Sequence, residues 1–226
     1  MTDRRFTLLD AATVVVAVGI LALALWTLTN GPTTPVPMHF GLNGQPDRYG
    51  DRTELGVLLV FMAAMTAITA GMMGWYAGRS EEPSRRRGLR MGQFISLIAI
   101  GGTTALLGWA ALGGAAGATA FSPGWTIALL GLILTLIGAG LGRVGPNPLV
   151  GVRTPWSYKS RLAWDRSNRL AGRLFFWFGL ILLIAGPIAP QPLTMMAAPA
   201  LILVAAILSV FESWRVWRTD PDRQPF

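Results

Sequence analysis

The chain has a single histidine, His39, and acidic and basic side chains close behind it: Asp47, Arg48, Asp51 and Arg52. An imidazole with carboxylates nearby could bind zinc or a hard cation, or move a proton. Metal sites usually need about three or four converging ligands, and here only the imidazole is a strong one. The expectation is that Asp47 and Arg48 satisfy loop amides and each other, with no metal and no other cofactor. A second group lies far along the chain, where Arg153, Arg166 and Arg169 alternate with Trp156 and Trp164. Cations interleaved with large rings suit anionic or amphipathic partners. The chain has no cysteine, which excludes disulfides, thiolate nucleophiles and Cys-ligated zinc or iron–sulfur centres. No HExxH or GxSxG motif and no pair of aspartates within an apolar run is present, so the chain reads as a protein that is not an enzyme.

These residues must be held by six long apolar runs: Leu8–Thr29, Leu55–Ala77, Met91–Leu112, Phe121–Gly142, Leu174–Ala189 and Leu193–Phe211. A bilayer core of about 30 Å takes roughly 20 helical residues. The fifth run is short, so its helix should begin earlier, with Arg173 reaching to the interface. The fold class expected is all-α: a polytopic membrane bundle of six transmembrane helices. With 13% charged residues and 52% apolar ones, the chain has too little polar surface for a water-soluble core of that many helices. The first run is too long for a signal-peptide core and should stay as an anchor.

Charge orients the bundle. Seventeen of the 19 basic residues lie in the N-terminal tail, the joint between spans two and three, the segment between spans four and five, and the C-terminal tail. Only Arg48 and Arg52 lie on the other side. Inner loops collect Arg and Lys, so both termini are expected in the cytoplasm. The net charge of +8 is then a membrane property, and no direct nucleic-acid partner is expected; lipid is. Residues 1–78 form one part, spans one and two around an external loop 31–54. Residues 79–226 form a four-span part around a cytoplasmic loop 143–173.

Two connectors stand apart from the bland turns. The external one, Gly31–Glu54, is rich in Pro and Gly with an Asn43-Gly44 step, which implies compact turns without helix or long strand. It is a natural place for peptide contact, through His39, Gly44, Pro46, Asp47 and Arg48. The cytoplasmic one, Gly145–Arg173, opens as an extended strip. Pro155 should drive Thr154 out of helical geometry, and Ser157 or Ser160 should cap a helix running into span five. On that helix Asp165 is spaced to pair with both Arg161 and Arg169. Arg166, Arg169 and Arg173 form a basic stripe, and Trp156, Tyr158 and Trp164 should lie in the interface.

Both connectors carry a resemblance. The stretch NPLVGVRTPWSYKSRLAWDRSNRLAGRLF, Asn147 to Phe175, resembles the signature of the SdpI family of bacterial membrane immunity proteins: N-x-x-x-G-[IV]-R-T-x-W, then a Trp, a helix and an A-G-[KR] step. PVPMHFGLNGQPDRYG, Pro35 to Gly50, resembles the uncharacterised domain that commonly precedes it. The matching inner positions are Asn147, Gly151, Arg153, Thr154, Pro155, Trp156, Trp164, Ala171 and Gly172; the outer ones are His39, Gly44, Pro46 and Asp47. At Ser167-Asn168 the pattern often has Thr-His, so a ring nitrogen is missing there. The resemblance implies resistance to a secreted toxic peptide outside. It also implies signalling inside, by holding a small repressor protein at the membrane. On this reading Asn147, Gly151, Arg153, Thr154, Pro155, Trp156, Trp164, Arg166 and Arg169 meet the inner partner. The alternative is a small transporter or lipid-handling protein. It is disfavoured because spans two to five offer no ionisable group at depth, and Gln93 and the span threonines read as links between helices.

Overall fold

The structure, a computed structural model of the chain, describes residues 6–115, 122–143, 145–146 and 150–225. In chain order its elements are α1 (Leu8–Asn30), β1 (Val36–Phe40), β2 (Pro46–Gly50), α2 (Arg52–Arg79), α3 (Pro83–Ala115), α4 (Gly124–Leu141), the single-turn α5 (Pro155–Tyr158), α6 (Arg161–Ala185) and α7 (Gln191–Thr219). All but α5 among the helices are long and apolar enough to cross a membrane, which makes six spans. Large apolar side chains cover the outside: Val15 is 70% exposed, Leu203 60% and Phe61 60%. Such a surface is stable only in lipid, and the chain is a multi-pass membrane protein.

Local sequence sets the helix ends. Thr7 and Asp10 form a reciprocal capping box at α1. The Asp51 side chain accepts from the Glu54 amide at 2.8 Å and starts α2. Ser160, not Ser157, caps α6 through the Ala163 amide at 2.9 Å. As expected, α6 begins well before the fifth apolar run, at Arg161. Two expectations need correction. The joint between spans two and three is short, because α3 already starts at Pro83; Arg85–Arg90 lie on helix. The external loop is not turns alone, for β1 and β2 pair antiparallel within it.

The helices pack in two groups. Helices α1, α2 and α3 form one, with α3 set mainly against α2 and also touching α1. Helix α6 is the centre of the other, packed between α4 and α7, which touch each other little. The α4–α6 contact is made of glycines facing glycines across an antiparallel pair: Gly124 with Gly186, Gly131 with Gly179, Gly138 with Gly172. A Cβ on Gly179 would stand 2.6 Å from the Gly131 carbonyl oxygen, and one on Gly138 would stand 2.6 Å from that of Gly172. Recurring every seventh residue, these glycines bring the two backbones together at three levels, along α4 and the second half of α6. The backbones touch, which replaces the hydrophobic drive that lipid cannot supply.

Candidate functional site

The outer hairpin is small and polar. His39 stands across from Arg48 in the ladder, beside a register irregularity. Its Nδ1 lies 2.6 Å from an Asp47 carboxylate oxygen, with both side chains more than half exposed. Arg48 pairs with Glu54 at the start of α2. Among the described residues no group of three His, Cys, Asp or Glu side chains converges, so His39 and Asp47 meet each other without a third ligand. Pro46 opens β2. Gly44 has φ +75° in the turn, a conformation that favours glycine. There the hairpin rests on the bundle: a Cβ on Gly44 would fall 2.5 Å from Cβ of Gln191, the first residue of α7. Gln191 in turn donates from Nε2 to the Gly186 carbonyl at 3.1 Å. The hairpin from the first half of the chain therefore touches the outer turn of the second half.

The inner segment is folded around a buried tryptophan. Trp164 is fully buried, not interfacial as its neighbours suggested. Gly151, with φ +130°, lies directly against the indole ring. A Cβ there would meet the Trp164 ring at 3.0 Å and the Asn168 Oδ1 at 2.7 Å. Asn168 anchors the strip from both ends of its amide. Its Oδ1 accepts from the Val152 amide at 2.8 Å, and its Nδ2 donates to the Trp164 carbonyl at 2.9 Å. This is the position where the resemblance would put a histidine; an amide fills it here with two directed hydrogen bonds.

Thr154 is extended, with φ −97° and ψ 160°, and caps α5 behind Pro155. Its hydroxyl also meets that of Ser213 on α7 at 2.5 Å. Ser160 is bonded to the buried Asp220 just past α7, and the Gln224 amide donates to the Lys159 carbonyl at 2.8 Å. The inner segment is thus fastened to the inner end of α7, whose outer end carries Gln191. Trp156 is half-buried and Tyr158 exposed, the latter 5.9 Å from the Trp164 ring. Arg153, Arg166, Arg169 and Arg173 are exposed. Asp165 pairs with Arg161 at 3.4 Å, and among the described residues it has no ion pair to Arg169, against the spacing argument. Asn147 lies outside the described residues.

One cluster escaped sequence reasoning. Arg90, counted above with the loop cations, is inside the bundle, its Nη1 2.6 Å from Asp10 Oδ1 and 2.7 Å from Gln93 Oε1. Gln93 is fully buried and donates to Asp10 at 3.2 Å and to Thr13 at 3.0 Å. Asp10 also accepts from the Thr7 amide and hydroxyl. On α2, Gly74 makes room: a Cβ there would meet Gln93 Nε2 at 2.7 Å and crowd the Asp10 carboxylate. The only sequence signal is an Asp three residues into an apolar run, and charges in such runs are normally paired.

Comparison with known proteins matches both connectors. Residues 143–213 match the SdpI/YfhL protein family. Residues 15–64 match a domain of unknown function, DUF1648. The immunity protein SdpI of Bacillus subtilis (strain 168) is 25% identical over 89 residues, 39% of this chain and 42% of that protein. The match therefore spans less than half of that relative's length. No solved structure matches. The two segments occur in the order that the motifs suggest, and the six spans carry them; over residues 143–213 the chain is similar to the SdpI/YfhL family, with a segment similar to DUF1648 ahead of it.

Proposed function

We propose that this protein is an immunity and signalling protein, in which the outer hairpin meets a secreted toxic peptide and the inner segment holds a cytoplasmic partner. The observation that carries the reading is the placement of the two segments on one helix. The hairpin tip, at Gly44, sits on Gln191 at the outer end of α7. The inner segment is bonded through Thr154 and Ser160 to Ser213 and Asp220 at the other end. Coupling needs two arrangements of that helix, with toxin and partner each preferring the same one. The outer contacts are His39, Gly44, Pro46, Asp47 and Arg48. The inner ones are Gly151, Arg153, Thr154, Pro155, Trp156, Trp164, Arg166 and Arg169, with Asn147 beside them in sequence. Exposed arginines on that face favour an acidic or amphipathic partner, such as a small repressor protein.

Expression in a toxin-sensitive bacterium, challenged with the secreted peptide of a producer strain, tests the first half. Gly44→Val should abolish resistance while the protein still inserts, because it forces the hairpin off Gln191. For the second half, Arg153→Ala and Arg169→Ala should leave insertion intact and abolish recruitment of the partner to the membrane. Unchanged recruitment in both variants would refute the inner role. Transport is the second reading. The Asp10–Arg90–Gln93 cluster is the observation in its favour, since polar groups within spans often mark pathways. Here they are bonded to one another; substrate-dependent flux in proteoliposomes would establish that reading instead.

A further inference from the structure

Helices α4 and α7 both lean on α6 without closing on each other, and the gap between them ends at the inner segment. It holds a cavity of about 440 Å³, within the range of roughly 300–1,000 Å³ typical of ligand sites. Leu141 of α4, Ala171 and Phe175 of α6, and Ala206 and Val210 of α7 line it, with Arg153 at the inner rim. Ala206 and Val210 are exposed on the outside of the bundle, so the cavity opens sideways, toward lipid. Its polar neighbours are already engaged. The Ser209 hydroxyl donates to the Ala205 carbonyl at 2.6 Å, and the Thr154 hydroxyl is bonded to Ser213. Both hydroxyls of the wall are thus engaged, and apart from Arg153 its other side chains are apolar, so the body of the ligand must be apolar. The inner rim is cationic. Arg153 is exposed there, Arg143 is exposed just past α4, and the stem of Arg169 runs along the same helix end, within 3.5 Å of a Cβ built on Gly142.

We propose that this cleft binds one anionic phospholipid of the inner leaflet, with an acyl chain in the cavity and the phosphate at Arg153. An apolar slot open to the bilayer with cations only at its headgroup end matches such a molecule in both shape and charge. The lipid would lie against Gly151–Thr154 and support the fold of the inner segment. The site shares Arg153 with the proposed partner surface, but lipid binding is read on purified protein with neither toxin nor partner present, so failure of either reading leaves the other standing.

The test is native mass spectrometry of the full chain, delipidated in detergent and titrated with phosphatidylglycerol or with phosphatidylcholine of the same chains. The expected result is one tightly held phosphatidylglycerol per chain and weaker phosphatidylcholine. Arg153→Gln should weaken the phosphatidylglycerol about fivefold, the worth of one interfacial cation. Ala206→Phe, which fills the slot from the lipid side, should remove both lipids. Val210→Phe serves the same purpose if Ala206→Phe does not fold. Arg85→Gln, a cation outside the cleft, should change neither. Equal retention of the two lipids, or retention untouched by the slot-filling variant, overturns the proposal. So does a photoreactive group at position 206 that captures a protein in cells in place of a lipid.

Discussion

The two halves of the bundle are held together by opposite chemistry. Around α1, α2 and α3 the link is ionic: Asp10, Arg90, Gln93 and Thr13 meet at the inner end, with Gly74 leaving space. Between α4 and α6 it is the absence of side chains, glycine against glycine along the whole crossing. In lipid, apolar side chains gain nothing by leaving the solvent, so helices need another reason to associate. A hydrogen-bonded charge pair supplies it at the inner end, where it adds to the apolar packing of Ile20, Ala24, Leu55, Leu59 and Ala63 further along the same helices. A bare backbone face supplies it everywhere and fixes the register. The half that carries the family segment has the rigid solution. The half that carries the outer hairpin has the ionic one, set beside an apolar core.

Breaking the glycine face should have the largest effect. Gly131→Leu places four carbons where the Gly179 carbonyl and the backbone of Leu183 already lie. Overpacking against backbone, which cannot rotate away, should cost at least about 3 kcal/mol. Loss of the folded species in a detergent melting curve checks it. A stable Gly131→Leu protein would mean that α4 and α6 are not in backbone contact.

The ionic clamp should show a smaller and recoverable loss. Arg90→Ala leaves the Asp10 carboxylate at 11% exposure with its charge partner gone. A cost of about 2 kcal/mol follows, less than for a wholly dry pair because the site is near the inner interface. The double variant Asp10→Leu with Arg90→Met should lose less than Arg90→Ala alone, since neither charge is then stranded. A double variant that is worse than Arg90→Ala would show that the two residues act separately.

The contrast also explains what could be read without the structure. Spans are legible because each is a long apolar run, and the early start of α6 followed from the shortness of the fifth. The glycines of α4 recur within an apolar run, but their partners Gly172 and Gly179 sit in a segment dominated by arginines and aromatics. The clamp was hidden because Asp10 and Arg90 are 80 positions apart, and Arg90 stands among four other arginines that do face out. Trp164 misled for a similar reason. A tryptophan in a basic segment reads as interfacial, and here Gly151, in a conformation that favours glycine, packs on its ring.

The smallest global effect, and the most local, belongs to Asn168. It does not hold helices together; it holds the strip on the rigid half. Asn168→Ala removes the acceptor of the Val152 amide and the donor to the Trp164 carbonyl. Each is a single neutral hydrogen bond, and α6 keeps its own ladder, so the loss should be about 1 kcal/mol, with the melting temperature almost unchanged. The strip should respond far more than the bundle. The Val152 amide should exchange with deuterium faster, and trypsin should cut sooner after Arg153, which is already exposed. Asn168→Asp separates the two bonds: it keeps an acceptor for Val152 but sets a carboxylate oxygen against the Trp164 carbonyl, and should still loosen the strip. If both variants exchange at Val152 like the parent, the strip is held by Trp164 packing and by the Thr154–Ser213 bond, and the amide is only a filler. If both loosen it while the glycine face stays intact, the inner segment is a separately hinged element on a rigid support, the arrangement that a partner-binding surface requires.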